Sequence, residues 1–199
     1  MEIIQLGNDL LRQKSLPVME ITDEIKQLVA GMFAAMDAAN GVGLAAPQVG
    51  VLKRLFVITL ADKERRVFIN PAILETSLET ECGEEGCLSI RGVYHDVARP
   101  KHIKVQALGT DGRPFTLEAS GALARAIQHE HDHLEGILYI DHLDEAARKE
   151  TVDQFVRREE RRLAKRAQKN AKAARIAAKQ GYRIVEPVEA GVGAGERTR

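Results

Sequence analysis

The chain has 199 residues, of which 44% are apolar and 29% charged, with 29 Lys and Arg balancing 29 Asp and Glu. A chain of this length can bury one core without metal or disulfide staples, and its composition is that of a soluble globular protein. No apolar run approaches membrane-spanning length and Met1-Glu2-Ile3-Ile4-Gln5 lacks the basic-then-apolar build of a signal peptide, so no membrane partner and a cytoplasmic location are expected.

Ile3 to Val18 carries apolar residues without a clean period, and Pro17 breaks any helix there. From Thr22 or Asp23, either of which can cap, Ile25, Leu28, Val29, Met32, Phe33 and Met36 fall at helical spacing, a helix with one buried stripe. Asn40-Gly41 ends it. Gly41-Val42-Gly43-Leu44-Ala45-Ala46-Pro47-Gln48 follows, a tight segment with little side-chain bulk that another backbone or a substrate can approach closely. Its spacing is that of neither nucleotide fingerprint, and Pro47 obstructs a helix start. Gln48 brings the only polar side chain, an amide able to donate to a carbonyl oxygen, although a loop glutamine by itself more often meets solvent.

Strand signals come next: Leu55 to Leu60, Val67-Phe68-Ile69, and Ile73 to Thr80. Lys101 to Leu108 and Pro114 to Glu118 read as a hairpin turned by Gly109-Thr110-Asp111-Gly112. Strands grouped between helices predict an α+β fold, with antiparallel sheets rather than alternating βαβ units. Among the strands lies Glu84-Glu85-Gly86-Cys87-Leu88-Ser89. Cys82 and Cys87 are too close in sequence for a disulfide of useful loop length, so free thiols are expected, and either can ligate a metal. Cys82 has no flanking pattern.

The run Gly121 to Gly136 holds His129-Glu130-His131-Asp132-His133. As a helix, with Ser120 as cap, Leu123 and Ile127 as an apolar pair and Gly136 as its stop, it projects His129 and His133 from one face toward a single metal ion. Glu130 then lies beside that ion, where a carboxylate can take a proton from water and hand it to a leaving amine. His131, on the far side, is expected to meet solvent. A catalytic metal needs a third protein ligand. Downstream, as in zincin-type peptidases, the nearest candidates are His142 and Glu145; upstream, Cys87 would give a thiolate with two imidazoles.

The balanced net charge conceals a division. Residues 1–156 hold 16 basic against 24 acidic side chains, and residues 157–183 hold 11 against 2. From Glu145 the chain reads as one long helix of Ala, Lys and Arg with Gly181 as stop, its Phe155, Leu163 and Ile176 too sparse for a buried face. Such a helix is either merely solvated or a contact for phosphates. Residues 182–199 are expected to be disordered.

Gly41 to Gln48, Glu85 to Ser89 and Gln128 to His133 together resemble the three motifs of the peptide deformylases, in that family's order and at its separations. The resemblance covers about residues 1–150 and implies a catalytic domain there, with antiparallel sheets packed around a central metal-binding helix. It makes residues 151–181 a basic helical extension. It further implies that Cys87, His129 and His133 ligate one divalent metal, Fe(II) in the cell and replaceable by nickel, cobalt or zinc. A hydroxide on that metal would attack the formyl carbon of a nascent formyl-Met polypeptide, with Gln48 and the backbone N–H of Leu88 donating to the oxygen. Glu130 would act as base and then as acid, releasing formate. Gly43 would hold the substrate backbone, and Val42, Ala126 and His129 would surround the methionine side chain. Some members dock on the ribosome through a basic C-terminal helix, which is the partner implied for the tail. The chain departs from a common pattern at Arg91, where many members have proline. A zincin-like peptidase would leave Cys87 and Gln48 without work, and an inactive ribosome-binding homologue would not need Glu130, Cys87 and Gln48 intact.

Overall fold

The computed structural model describes residues 1–179, so the stop at Gly181 and the disorder expected of residues 182–199 lie outside the described residues. The chain divides into two compact units, Met1–Val156 and a second beginning at Arg157.

In the first unit, α1 spans Asp23–Ala38 and buries Val29, Met32, Phe33 and Met36, the expected stripe. Thr22 is its N-cap residue, but its side chain makes no capping hydrogen bond. Seven strands follow: β1 Gly43–Ala45, β2 Leu55–Thr59, β3 Arg65–Thr76, β4 Thr80–Cys87, β5 Ile90–Pro100, β6 His102–Leu108 and β7 Pro114–Ser120. Five form an antiparallel sheet in the order β1-β2-β3-β6-β7, and β4 and β5 form a second, two-stranded antiparallel sheet. Helix α2, Gly121–Leu134, comes next, and α3 is Glu145–Lys179. The architecture is the α+β one expected.

The larger sheet is covered on both faces. Leu55, Val57 and Ile69 pack with the buried side of α1, whereas Phe56, Ile58, Phe68 and Val105 pack with Ala124, Ile127 and Leu134 of α2. Alternate side chains of β2 thus enter two different cores, which is why it reads as an unbroken apolar run. Each such side chain, fully buried, stabilises the fold by roughly 1.5–3 kcal/mol. Together they fix α2 as a rigid element lying across β1 and β2.

A third cluster joins Leu11, Ile90, Val93, Val97, Tyr139, Ile140 and Phe155. Phe155 and Thr151 are buried, so the first turns of α3 do have an inner face, contrary to expectation. Phe155, with half-buried Val152 beside it, suffices there because the turn at Tyr139–His142 and β5 supply the rest of the cluster. In the second unit α3 is exposed except for half-buried Glu159 and Ala177, and its Leu163 and Ile176 face solvent. Among the described residues no helix is long and apolar enough to cross a membrane.

Candidate metal centre

Helix α2 carries His129, Glu130 and His133 on its buried side, where they are 8%, 5% and 1% exposed. Ser120 is its N-cap residue without a side-chain capping bond, and Gly136 follows its end at φ +75°. The hairpin of β4 and β5 brings Cys87 to the same place: Cys87 ends β4, and Leu88 and Ser89 make the turn. Cys87 Sγ lies 3.3 Å from His133 Nε2, and the ligand atoms of Cys87, His129 and His133 all lie within 4.8 Å of one another. The third ligand candidate therefore comes from upstream. His142 instead meets Asp132 Oδ2 at 2.7 Å and Arg99 Nη1 at 3.1 Å, Glu145 is exposed, and neither joins the cluster. Cys82 is exposed and Cys87 buried, both as free thiols.

The electrostatics suit a cation. Burial raises the Cys87 thiol pKa, but the facing His133 and His129 outweigh burial and bring it down to about 5. A thiolate and two imidazoles make a donor set that holds divalent metal with a position left open. His129 presents Nδ1 to Glu85 Oε2 at 2.9 Å. Glu85 is itself held ionised: burial opposes this, but His129 and Arg99 lower its pKa far below the ordinary 4.5. An ionised acceptor puts the proton on Nδ1 and leaves Nε2 for a metal. The residues fit the ion that the motif calls for.

Glu85 is the hub of a buried ion network. Arg99 grips it with Nε and Nη2 at 2.9 and 3.0 Å, and its Nη1 reaches Asp132 Oδ2 at 2.6 Å. Arg125 Nη1 donates to Glu85 Oε1 at 2.9 Å and to the carbonyls of Gly83 and Val97, and Nη2 to that of Glu81. Two strands and α2 are thereby tied together directly behind a ligand imidazole. Sequence reasoning missed Arg99 and Arg125 altogether and gave Glu85 and Asp132, both inside the matched motifs, no task; the placing of Glu85 two residues before Cys87 was the available signal. His131, expected in solvent, is half-buried with Nε2 3.5 Å from Arg54 Nη2. Burial and that cation lower its pKa, because Arg54 is drawn inward by its ion pair to Glu135.

Glu130 differs from every other acid of the site. Its Oε1 faces Gly43, and its buried Oε2 has no hydrogen-bond partner. Burial raises its pKa to about 7 against the opposing pull of His129 and His133. A carboxyl group poised there can accept a proton and return it near neutral pH.

Gln48, which by itself would more often meet solvent but which the resemblance puts at the site, is 1% exposed. Its Oε1 accepts from Ala45 N–H at 2.8 Å, which turns Nε2 toward Cys87 Sγ at 3.4 Å and Ser89 Oγ at 3.2 Å. Pro47, expected to obstruct a helix start, instead sits in the first turn of the 3-10 helix Ala46–Val49, where its missing N–H costs nothing, so the small-residue segment becomes β1 plus that turn. Above lies a cleft of about 970 Å³ whose lining includes Val42, Gly43, Gln48, Leu88, Ala126 and Glu130, together with Cys87 and His129. His133 lies beside Cys87 and His129 at its base, whereas His131, His142, Glu145 and Cys82 lie elsewhere.

The profile of the polypeptide deformylase family matches residues 1–149. The chain belongs to the polypeptide deformylase family. Peptide deformylase 1 of Clostridium perfringens is 54% identical over 136 residues, 68% of this chain and 92% of the relative. Among solved structures, a peptide deformylase from Legionella pneumophila superposes with a TM-score of 0.78 at 36% identity, covering 81% of this chain and 96% of that one. A peptide deformylase from Synechococcus elongatus in complex with actinonin gives 0.74 at 45% identity, covering 77% and 84%. The match to the family model ends before the strongly basic stretch begins.

Proposed function

We propose that this deformylase is catalytically active and removes the formyl group from nascent formyl-Met polypeptides, releasing formate, and that residues 1–150 form its catalytic domain. The observation that carries the reading is Glu130: a buried, unpartnered carboxyl group of raised pKa beside a Cys, His, His cluster at the base of an open cleft. Cys87, His129 and His133 would hold one divalent ion, which supplies Lewis acidity and lowers the pKa of water. We take Fe(II) as the native ion, with nickel, cobalt or zinc as replacements.

The chain's own groups do the rest. Glu130 accepts the proton of the attacking water and then protonates the departing amine. Gln48 Nε2, aimed by the Ala45 N–H, and the backbone N–H of Leu88 donate to the formyl oxygen as it gains negative charge. Strands β1 and β4 each pair on one side only, so both offer unpaired backbone to an extended peptide, and Gly43 presents it without a side chain. The methionine side chain rests against Val42, Ala126 and His129, with exposed Ala122 leaving the wall roomy.

Residues 151–181 act as a basic extension for docking on the ribosome through rRNA phosphates, and the protein works in the cytoplasm. Among residues 157–179 ten are basic and two acidic, which supports a phosphate partner.

Anaerobic formate release from a formyl-Met tripeptide, by protein loaded with nickel or Fe(II), tests the reading with Glu130→Ala as control. Release by the parent and not by the variant is expected. No release from either, with metal shown to be bound, overturns it.

A further inference from the structure

The pairing of β4 with β5 breaks beside the metal centre. Gly86 stands opposite Tyr94, but Cys87 stands opposite Ile90, so Arg91, Gly92 and Val93 have no partners in β4 and bulge out of the hairpin. Gly92 takes φ +71°, and Val93 is fixed inward, buried and accepting the Tyr139 hydroxyl at its carbonyl oxygen at 3.1 Å. A bulge next to an active site re-aims a side chain, and here the side chain is that of Arg91. It lines the cleft, exposed, with Nε donating to the Leu88 carbonyl at 3.4 Å. Arg91 is thus tied to Leu88, the residue whose N–H is proposed above as a donor to the formyl oxygen. The Leu88 side chain in turn packs over Gly41, where a Cβ would stand 2.6 Å from Leu88 Cδ1.

The charges around the cleft single Arg91 out. Arg125, the other guanidinium of the lining, is committed to Glu85 and three carbonyls. Arg91 has no carboxylate at ion-pair distance among the described residues, and the exposed Glu2 and Glu84 of the lining are of opposite sign. A peptide lying between the Gly41–Gly43 wall and the Glu84–Leu88 wall passes this guanidinium on leaving the methionine pocket. Resting on the deformylase reading, the geometry points to Arg91 as a specificity-determining residue that favours nascent chains with an acidic side chain at the second or third position.

An exposed charge pair changes affinity by about two- to fivefold at low ionic strength, and salt screens it. The contact exists in both bound substrate and transition state, so it acts on KM and leaves kcat alone. The test measures kcat and KM on formyl-Met-Asp-Ala, formyl-Met-Lys-Ala, formyl-Met-Ala-Asp and formyl-Met-Ala-Lys for the parent, Arg91→Ala and Arg91→Glu. At one of the two positions the Asp-to-Lys preference falls about two- to fivefold in Arg91→Ala and further in Arg91→Glu, through KM, and the parent's preference shrinks at high salt. The same preference in all three proteins at both positions, or a change confined to kcat, overturns the inference. Failure of the metal-loaded parent to process formyl-Met-Ala-Ala instead removes the deformylase reading, and the inference with it.

Discussion

Gly43 and Glu130 leave no room between them: a Cβ at position 43 would stand 2.3 Å from Glu130 Oε1 and 2.8 Å from its Cδ. The glycine of β1 is therefore a steric requirement of the acid on α2, not of the local backbone, which carries no positive φ at this position. Gly43→Ala is expected to displace the carboxyl group while leaving Cys87, His129 and His133 untouched. A displacement of about 1 Å costs roughly 10²-fold in rate. Steady-state kinetics beside metal analysis checks this: kcat should fall by that order at unchanged metal stoichiometry, and wild-type turnover would show that the placement of Glu130 is not demanding.

Glu85 couples the metal centre to the fold. Glu85→Gln leaves Arg99 and Arg125 facing a neutral group, and removing one partner of a buried ion pair costs about 3–5 kcal/mol. Because the folded-state pKa of Glu85 is depressed, its stabilisation is fully present above the ordinary value of 4.5 and is lost as pH falls below that value toward the folded one. Urea denaturation should find a constant gap between parent and variant from pH 8 to about pH 5, narrowing in more acid solution. Metal affinity should also drop by about 10- to 100-fold, since His129 loses an ionised acceptor at Nδ1. A gap that widens in acid would contradict the depressed pKa.

Stripping the metal exposes the intrinsic state of Cys87. Its thiol should ionise as pH rises through about 5 rather than the ordinary 9.0, because His133 and His129 face the sulfur and outweigh burial. Thiolate absorbance at 240 nm, with Cys87→Ser to subtract Cys82, gives the midpoint. A midpoint near 9 would contradict the lowered pKa of Cys87.

The parts of this site that sequence made legible are those whose signal is local. His129, Glu130 and His133 announce themselves by helical spacing, and β2, β6 and β7 by apolar residues. Strand β4 gave no such signal, because only Glu85 and Cys87 of its eight residues are buried. Strand β5 was unreadable for another reason: its inward residues Ile90, Val93 and Val97 lose their period of two across the bulge at Arg91–Val93. The network around Glu85 assembles Arg99, Arg125 and Asp132 from separate elements, a constellation with no sequence period. Gln48 could be put at the site only through the motif it belongs to, because nothing near it in sequence shows that β1 and the β4–β5 hairpin close over it.

The basic part of α3 can be separated from the chemistry. The first unit ends at Val156 with its own core, and Thr151 and Phe155, the buried residues of α3, lie within it. Beyond, the helix is mostly exposed, with Glu159 and Ala177 half-buried, and the ion pair of Arg162 with Glu159 joins two residues of the helix itself. Exposed pairs of this kind add little stability. Deleting residues 157–199 should therefore leave turnover of a formyl-Met tripeptide and the melting temperature unchanged. Ribosome binding should weaken and lose salt dependence, since each lysine or arginine contact to phosphate steepens the fall of affinity with salt. Sedimentation with ribosomes at a series of salt concentrations reads both effects. Equal binding by the full chain and the truncated one would assign docking to the first unit, and lost turnover would show that residues beyond Val156 support the catalytic fold.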